Sequence, residues 1–157
     1  MKKLVLIDGH SILNRAFYGV PELSNSQGLH TNAVYGFLNI MFKILDEEAA
    51  DYIAVAFDLS APTFRHKAYA EYKGTRKSMP DELREQVPLI KDVLSSMNIP
   101  ILTMEGYEAD DIIGTIAKRY QSDEVFVSVI SGDRDLLQLS DKHIKIRIPK
   151  TSKGVTT

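Results

Sequence analysis

The stretch KKLVLIDG, residues 2–9, decides the fold. Leu4, Val5, Leu6 and Ile7 form an unbroken apolar run between two lysines and an acid, and Gly9 follows at once. A short apolar run bounded by turn formers reads as a buried strand and then a turn. Asp8 therefore closes a strand, and Ser11 is placed to cap a following helix. The same pattern recurs in YIAVAFD, residues 52–58, which ends in Asp58. IPILTM at 99–104 predicts a third strand, EVFVSVIS at 124–131 a fourth, and HIKIRI at 143–148 alternates like a fifth.

Helical periodicity fills the intervals. From Thr31 to Glu48, Val34, Phe37, Leu38, Met41, Phe42 and Leu45 recur at spacings of three and four and predict one apolar stripe. Asp81 opens another helix, to about Met97, with Pro88 as a local irregularity. EADDIIGTIAKRY, residues 108–120, predicts a third. Strands alternating with helices place the chain in the α/β class, with a mainly parallel central sheet flanked by helices.

The chain has 157 residues, 44% of them hydrophobic and 25% charged, which suits a single domain over 1–157 with a sizeable core. With no cysteine, disulfides and thiolate metal sites are excluded, and any metal must be held by oxygen or imidazole. Asp8 interrupts the N-terminal apolar run too early for a signal peptide, and no apolar stretch approaches the roughly 20 residues that span a bilayer. A cytoplasmic location away from membranes is expected. Formal net charge is only −2, but RHKAYAEYKGTRK at 65–77 holds five Lys or Arg against one Glu, within a polar stretch of about twenty residues, 59–80.

In an open parallel sheet, ligands bind beyond the carboxyl ends of the strands. Asp8, Asp58, Glu108, Asp110, Asp111, Asp133 and Asp135 all fall at such ends or at the helix starts that follow, so seven carboxylates should meet at one edge. Taken singly they have ordinary explanations: acids in the first turn of a helix favour its dipole, and Asp133 suits a turn. Together they would raise one another's pKa values unless a cation joined them. Carboxylate oxygens without Cys suit Mg²⁺ or Mn²⁺ better than Zn²⁺, and His10 is better read as a helix-start or surface residue. So many acids suggest two ions roughly 4 Å apart, the arrangement that clamps a phosphoryl group. The basic stretch interleaves Tyr69 and Tyr72 with Arg65, Lys67, Lys73, Arg76 and Lys77, which fits neutralised phosphates and stacked bases, although a solvated helical face would look alike.

LVLIDGHSILNRAFY, AVAFDLSAPTFRHKAYAEYKGTRKSMPDELREQ, GYEADDIIGTIA and VISGDRDLLQL, in that order, resemble the 5′ nuclease domain at the N-terminus of bacterial DNA polymerase I, a relative of flap endonucleases with a PIN-like fold. The resemblance runs from residue 3 to the end of the chain. It implies metal-dependent cleavage of branched DNA: removal of 5′ flaps and RNA primers, and 5′ to 3′ exonuclease action on DNA or RNA–DNA, with a polymerase domain as a possible neighbour in a longer chain. It assigns the seven acids to metal, with Asp8, Asp58 and Asp133 central to catalysis. Lys73 and Arg76 match basic arch residues near the scissile phosphate, Tyr72 a stacking aromatic, and Arg15 a basic residue on the first helix. The family's domain continues into further metal-binding aspartates and a helix-hairpin-helix that grips duplex. This chain stops at IPKTSKGVTT, a polar tail without a packing signal, and so reads as the first part of such a domain.

Two rival readings stand beside this one. A haloacid dehalogenase-type phosphatase also carries aspartates on strand ends, but it needs a second aspartate two residues after the nucleophile, where this chain has His10 or Ser60. A module that binds metal or branched DNA without cutting is the other, and the short C-terminal end favours it.

Overall fold

The computed structural model describes residues 2–21, 26, 28–58, 80–104, 106–149, 151–152 and 155–156, with only the backbone given for Asp135 and for the last two pairs. Strand β1 (Lys2–Asp8) leads into α1 (Gly9–Gly19) and α2 (Asn32–Glu48), and then β2 (Tyr52–Ala56). Helices α3 (Asp81–Arg84) and α4 (Gln86–Ser96) precede β3 (Ile101–Leu102), α5 (Ala109–Tyr120) and β4 (Val125–Ile130). A 3-10 helix (Arg134–Leu139) and β5 (Ile144–Arg147) follow, with β6 (Thr151–Ser152) and β7 (Val155–Thr156) forming an antiparallel pair.

The main sheet has the order β3-β2-β1-β4-β5, and every neighbouring pair is parallel. Period-two alternation splits β1 between two cores. Val5 and Ile7 pack with Phe37, Ile40, Met41, Ile44, Ile90 and Leu94 from α2 and α4, whereas Leu6 packs with Ile113 and Ala117 of α5. Burial on both faces is why β1, β2 and β4 read as near-continuous apolar runs rather than alternating ones. The chain adds β2 and β3 on one side of β1, then crosses to add β4 on the other. The crevice beyond the carboxyl ends of β1 and β4 is therefore the switch point of the sheet, the usual ligand position in this architecture.

Several details depart from the sequence reading. The α2 stripe is rotated, so that Ile40 and Ile44 are buried while Phe42 is 48% exposed. The expected single helix over 81–97 is divided at Glu85. Pro88 explains the division, because its ring crowds the carbonyl of Arg84 and its missing N–H is tolerated only in the first turn of the new helix. The first helix begins at Gly9 rather than after Ser11, because the Asp8 carboxylate accepts the Ser11 backbone N–H at 3.4 Å and serves as the cap. Within the polar tail, which carries no packing signal in its sequence, β6 and β7 pair, and β6 lies beside α1.

Away from the switch point, the C-terminus of α2 is fixed to the sheet by a buried acid. Glu48 is 4% exposed and pairs with Lys3 at 3.0 Å, Lys145 at 2.9 Å and Arg147 at 3.3 Å, and it accepts the Ser128 hydroxyl at 3.2 Å. Burial works to raise its pKa, but hydrogen bonds from Lys145 and Lys3 outweigh this and bring it down to about 2.

Candidate metal centre

Register places the acids. Ile7 lies opposite Ile130 and Asp8 opposite Ala56, so the residues just beyond, Ser131 on one side and Asp58 on the other, flank the end of β1. Gly9 lets the chain turn there, since a Cβ on it would stand 2.5 Å from the Phe57 ring. His10 presents its ring edge to Phe57 at 5.3 Å, with Nε2 3.2 Å from the Asp58 carbonyl oxygen, and so helps tie the β1 corner to the end of β2.

Asp58 reaches across to α5, where its Oδ1 accepts the Ala109 N–H at 2.6 Å. Glu108 is the N-cap of that helix and is buried; its backbone N–H donates to Asp111 Oδ2 at 3.2 Å, and the Asp111 N–H donates to Asp110 Oδ1 at 3.0 Å. These acids thus do satisfy N-terminal amides of the helix, as their ordinary explanation requires. They are also close enough to do more. Among the described residues, Glu108, Asp110 and Asp111 each offer an oxygen such that all three lie within 4.8 Å of one another.

Asp8 closes the buried end of β1. It is 7% exposed, and burial raises its pKa from 3.8 to about 6 against the lowering effect of the Ser131 hydroxyl and the Ser11 N–H, with the Asp58 and Asp110 charges adding to the rise. The charges that Asp8 feels locate Asp58 and Asp110 on its side of the edge. Asp133 follows on the β4 side. Its N–H donates to the Ser131 hydroxyl at 3.0 Å, and its carbonyl accepts Leu136 N–H at 3.2 Å to start the 3-10 helix. Asp135 lies in that 3-10 helix, and its side chain is outside the description.

The edge therefore gathers acids from four segments, with carboxylate oxygens as the available donors. Such a donor set fits a hard divalent cation, and a cation would relieve the mutual repulsion that Asp8 registers. Arg15, on α1, lines a polar depression of about 360 Å³ with Ser11, Asn14, Tyr18, Gly19 and Gly132. It fits there because Gly132 has no side chain: a Cβ would lie 3.0 Å from Arg15 Nε and 3.0 Å from Ser11 Oγ. Arg65, Tyr72, Lys73, Arg76 and Lys77 lie outside the described residues. Sequence reasoning missed Ser131 altogether and misread Ser11, whose hydroxyl accepts the Gly132 N–H at 2.7 Å instead of capping a helix.

Comparison with known proteins supplies an independent frame. The model of the 5′-3′ exonuclease, N-terminal resolvase-like domain family matches residues 3–157. The chain is 53% identical over 155 residues to DNA polymerase I of Bacillus caldotenax, spanning 99% of this chain and 17% of that polymerase. It is 41% identical over 156 residues to a 5′-3′ exonuclease of Aquifex aeolicus, spanning 54% of that protein. Among solved structures, T5 5′-exonuclease with bound zinc ions superposes with a TM-score of 0.69 at 25% identity, over 94% of this chain and 55% of the other.

Proposed function

We propose that this chain, which belongs to the 5′-3′ exonuclease, N-terminal resolvase-like domain family, is a metal-dependent nuclease that hydrolyses DNA phosphodiesters as a 5′-3′ exonuclease and 5′ flap endonuclease. The observation that carries the reading is the cluster of Glu108, Asp110 and Asp111, with oxygens within 4.8 Å of one another, on the side of the sheet edge where buried Asp8 feels the charges of Asp58 and Asp110 and is pushed up to about 6. Divalent-metal binding by T5 5′-exonuclease supports it. Membership in a family of relatives called 5′-3′ exonuclease and DNA polymerase I supports the substrate class.

The six acids, with Asp135, would hold Mg²⁺ or Mn²⁺, two ions being the number that so many carboxylates suit. Bound there, divalent cations supply Lewis-acid stabilisation of phosphate charge and a more acidic water as nucleophile. The chain's own part is to hold the carboxylates in place. Asp8 and Asp133 do so from adjoining strand ends, and Asp58, Glu108, Asp110 and Asp111 from the amides of α5. Arg15, beside the acidic edge, would bind a backbone phosphate of branched or RNA–DNA substrate. Arg65, Tyr72, Lys73, Arg76 and Lys77 would complete that contact, with Lys73 and Arg76 offsetting charge on the reacting phosphate. Cleavage leaves a 5′-phosphate.

The test is incubation with a 5′-labelled flap duplex in Mn²⁺ and in chelator, beside Asp133→Asn. Cutting that needs the metal and falls at least a hundredfold in the variant supports the reading. Cutting in chelator, undiminished cutting by Asp133→Asn, or no cutting at all refutes it for this chain.

A further inference from the structure

The two strand ends that meet at the switch point are more than 120 residues apart in sequence, and a single hydroxyl joins their acids. Ser131 is fully buried, and its Oγ donates to Asp8 Oδ2 at 3.0 Å while accepting the Asp133 N–H at 3.0 Å. Ser11 braces it from the other side: its Oγ stands 3.4 Å from Ser131 Oγ, and its N–H reaches Asp8 Oδ1. Both Asp8 oxygens are thereby fixed, one by the helix start and one by the neighbouring strand.

We propose that Ser131 is a positioning residue that sets the Asp8 carboxylate and the Asp133 segment in one frame for metal binding; this rests on the nuclease reading above. A hydroxyl suits the task because it donates and accepts at once, whereas an alanine does neither. No solvent reaches the position to replace it, so its loss leaves Asp8 Oδ2 short of a donor in a buried setting. The carboxylate is then free to rotate about its Cβ–Cγ bond, and Asp133 loses the contact that orders its backbone. Groups that orient metal ligands in this way change metal affinity by roughly 10–100-fold when removed.

The test is a double-mutant cycle on the whole chain, read by calorimetric titration with Mn²⁺. Ser131→Ala is expected to weaken binding about tenfold or more. Ser131→Thr, which keeps the hydroxyl, should bind within roughly threefold of the parent, well short of the roughly tenfold that loss of an orienting group costs. In an Asp8→Ala background, Ser131→Ala should cost clearly less than in the parent, keeping only the share that runs through Asp133, as expected for residues that act through one another. Undiminished affinity in Ser131→Ala, an equal loss in Ser131→Thr, or an equal loss with and without Asp8 would overturn the proposal. A parent chain that binds no Mn²⁺ would refute the metal reading instead. The same cycle is then read by thermal unfolding in chelator, where a Ser131→Ala loss of Tm that persists undiminished without Asp8 overturns the positioning role.

Discussion

Replacing Asp8 by Asn should make the metal-free protein more stable, which is unusual for a substitution at a buried polar residue. The Asp8 carboxyl is raised from 3.8 to about 6 by burial, with the Asp58 and Asp110 charges contributing. That displacement corresponds to roughly 3 kcal/mol of destabilisation when the group is ionised at neutral pH. Asn keeps the shape but forfeits part of the hydrogen bonding to Ser131 and Ser11, so a net gain of about 2 kcal/mol is expected, or roughly 4–8 °C in Tm for a chain of this size. The sign with pH follows from the raised value. The penalty is complete above about 6, is relieved as pH falls from 6 toward 3.8 because the folded state takes up its proton first, and is absent below 3.8. The assay is thermal unfolding in chelator from pH 5 to 7.5. This contribution makes the parent more stable toward pH 5, and the gap to Asp8→Asn closes along the way. Adding Mn²⁺ at pH 7.5 should then raise the parent's Tm more than the variant's. An Asp8→Asn protein less stable than the parent at pH 7.5 in chelator, with a gap that does not change with pH, would refute the reasoning.

Other consequences concern the frame around the site. Glu48→Gln leaves Lys3, Lys145 and Arg147 around a neutral side chain and should cost about 3 kcal/mol, measured by urea unfolding at pH 7. Because the Glu48 pKa is lowered from 4.5 to about 2, its contribution is complete above 4.5 and disappears as pH falls through 2, so parent and variant should converge in acid. Gly9→Ala drives a Cβ to 2.5 Å from the Phe57 ring and should destabilise by about 2–3 kcal/mol. Gly132→Ala meets Ser11 Oγ and Arg15 Nε first, both at 3.0 Å, and the flexible Arg15 can yield, so about 1 kcal/mol is expected in the same unfolding assay.

The sheet was legible because β1, β2 and β4 are buried on both faces and therefore spell themselves as apolar runs, with acids at or just beyond their carboxyl ends, while β5 shows instead as the alternation of IKIR. Leu4 to Asp8 and Val125 to Ile130 are plain on that basis. The third strand is shorter than IPILTM suggests: only Ile101 and Leu102 pair with β2, while Pro100, without an N–H, contributes just its carbonyl to Val55. Phe42 misled because periodicity fixes the width of a stripe better than its phase. The β6–β7 pair gave no signal, because two-residue strands are too short to show a period. At the site, residue type announced the acids, but the role of Ser131 rests on partners on another strand, which local sequence cannot encode. The same holds for Glu48, whose three cationic partners come from β1 and β5.

The central claim, that the carboxyl edge of the sheet is built to hold a divalent cation, is tested most directly by titrating Mn²⁺ into the parent chain, Asp110→Asn and Asp123→Asn. Asp110 belongs to the clustered set, whereas the Asp123 side chain is 92% exposed and meets His143 at 2.9 Å. The expected result is saturable, chelator-reversible binding by the parent, a loss of affinity of about tenfold or more in Asp110→Asn, and none in Asp123→Asn. Equal affinity in all three proteins, or no saturable binding by the parent, would contradict it.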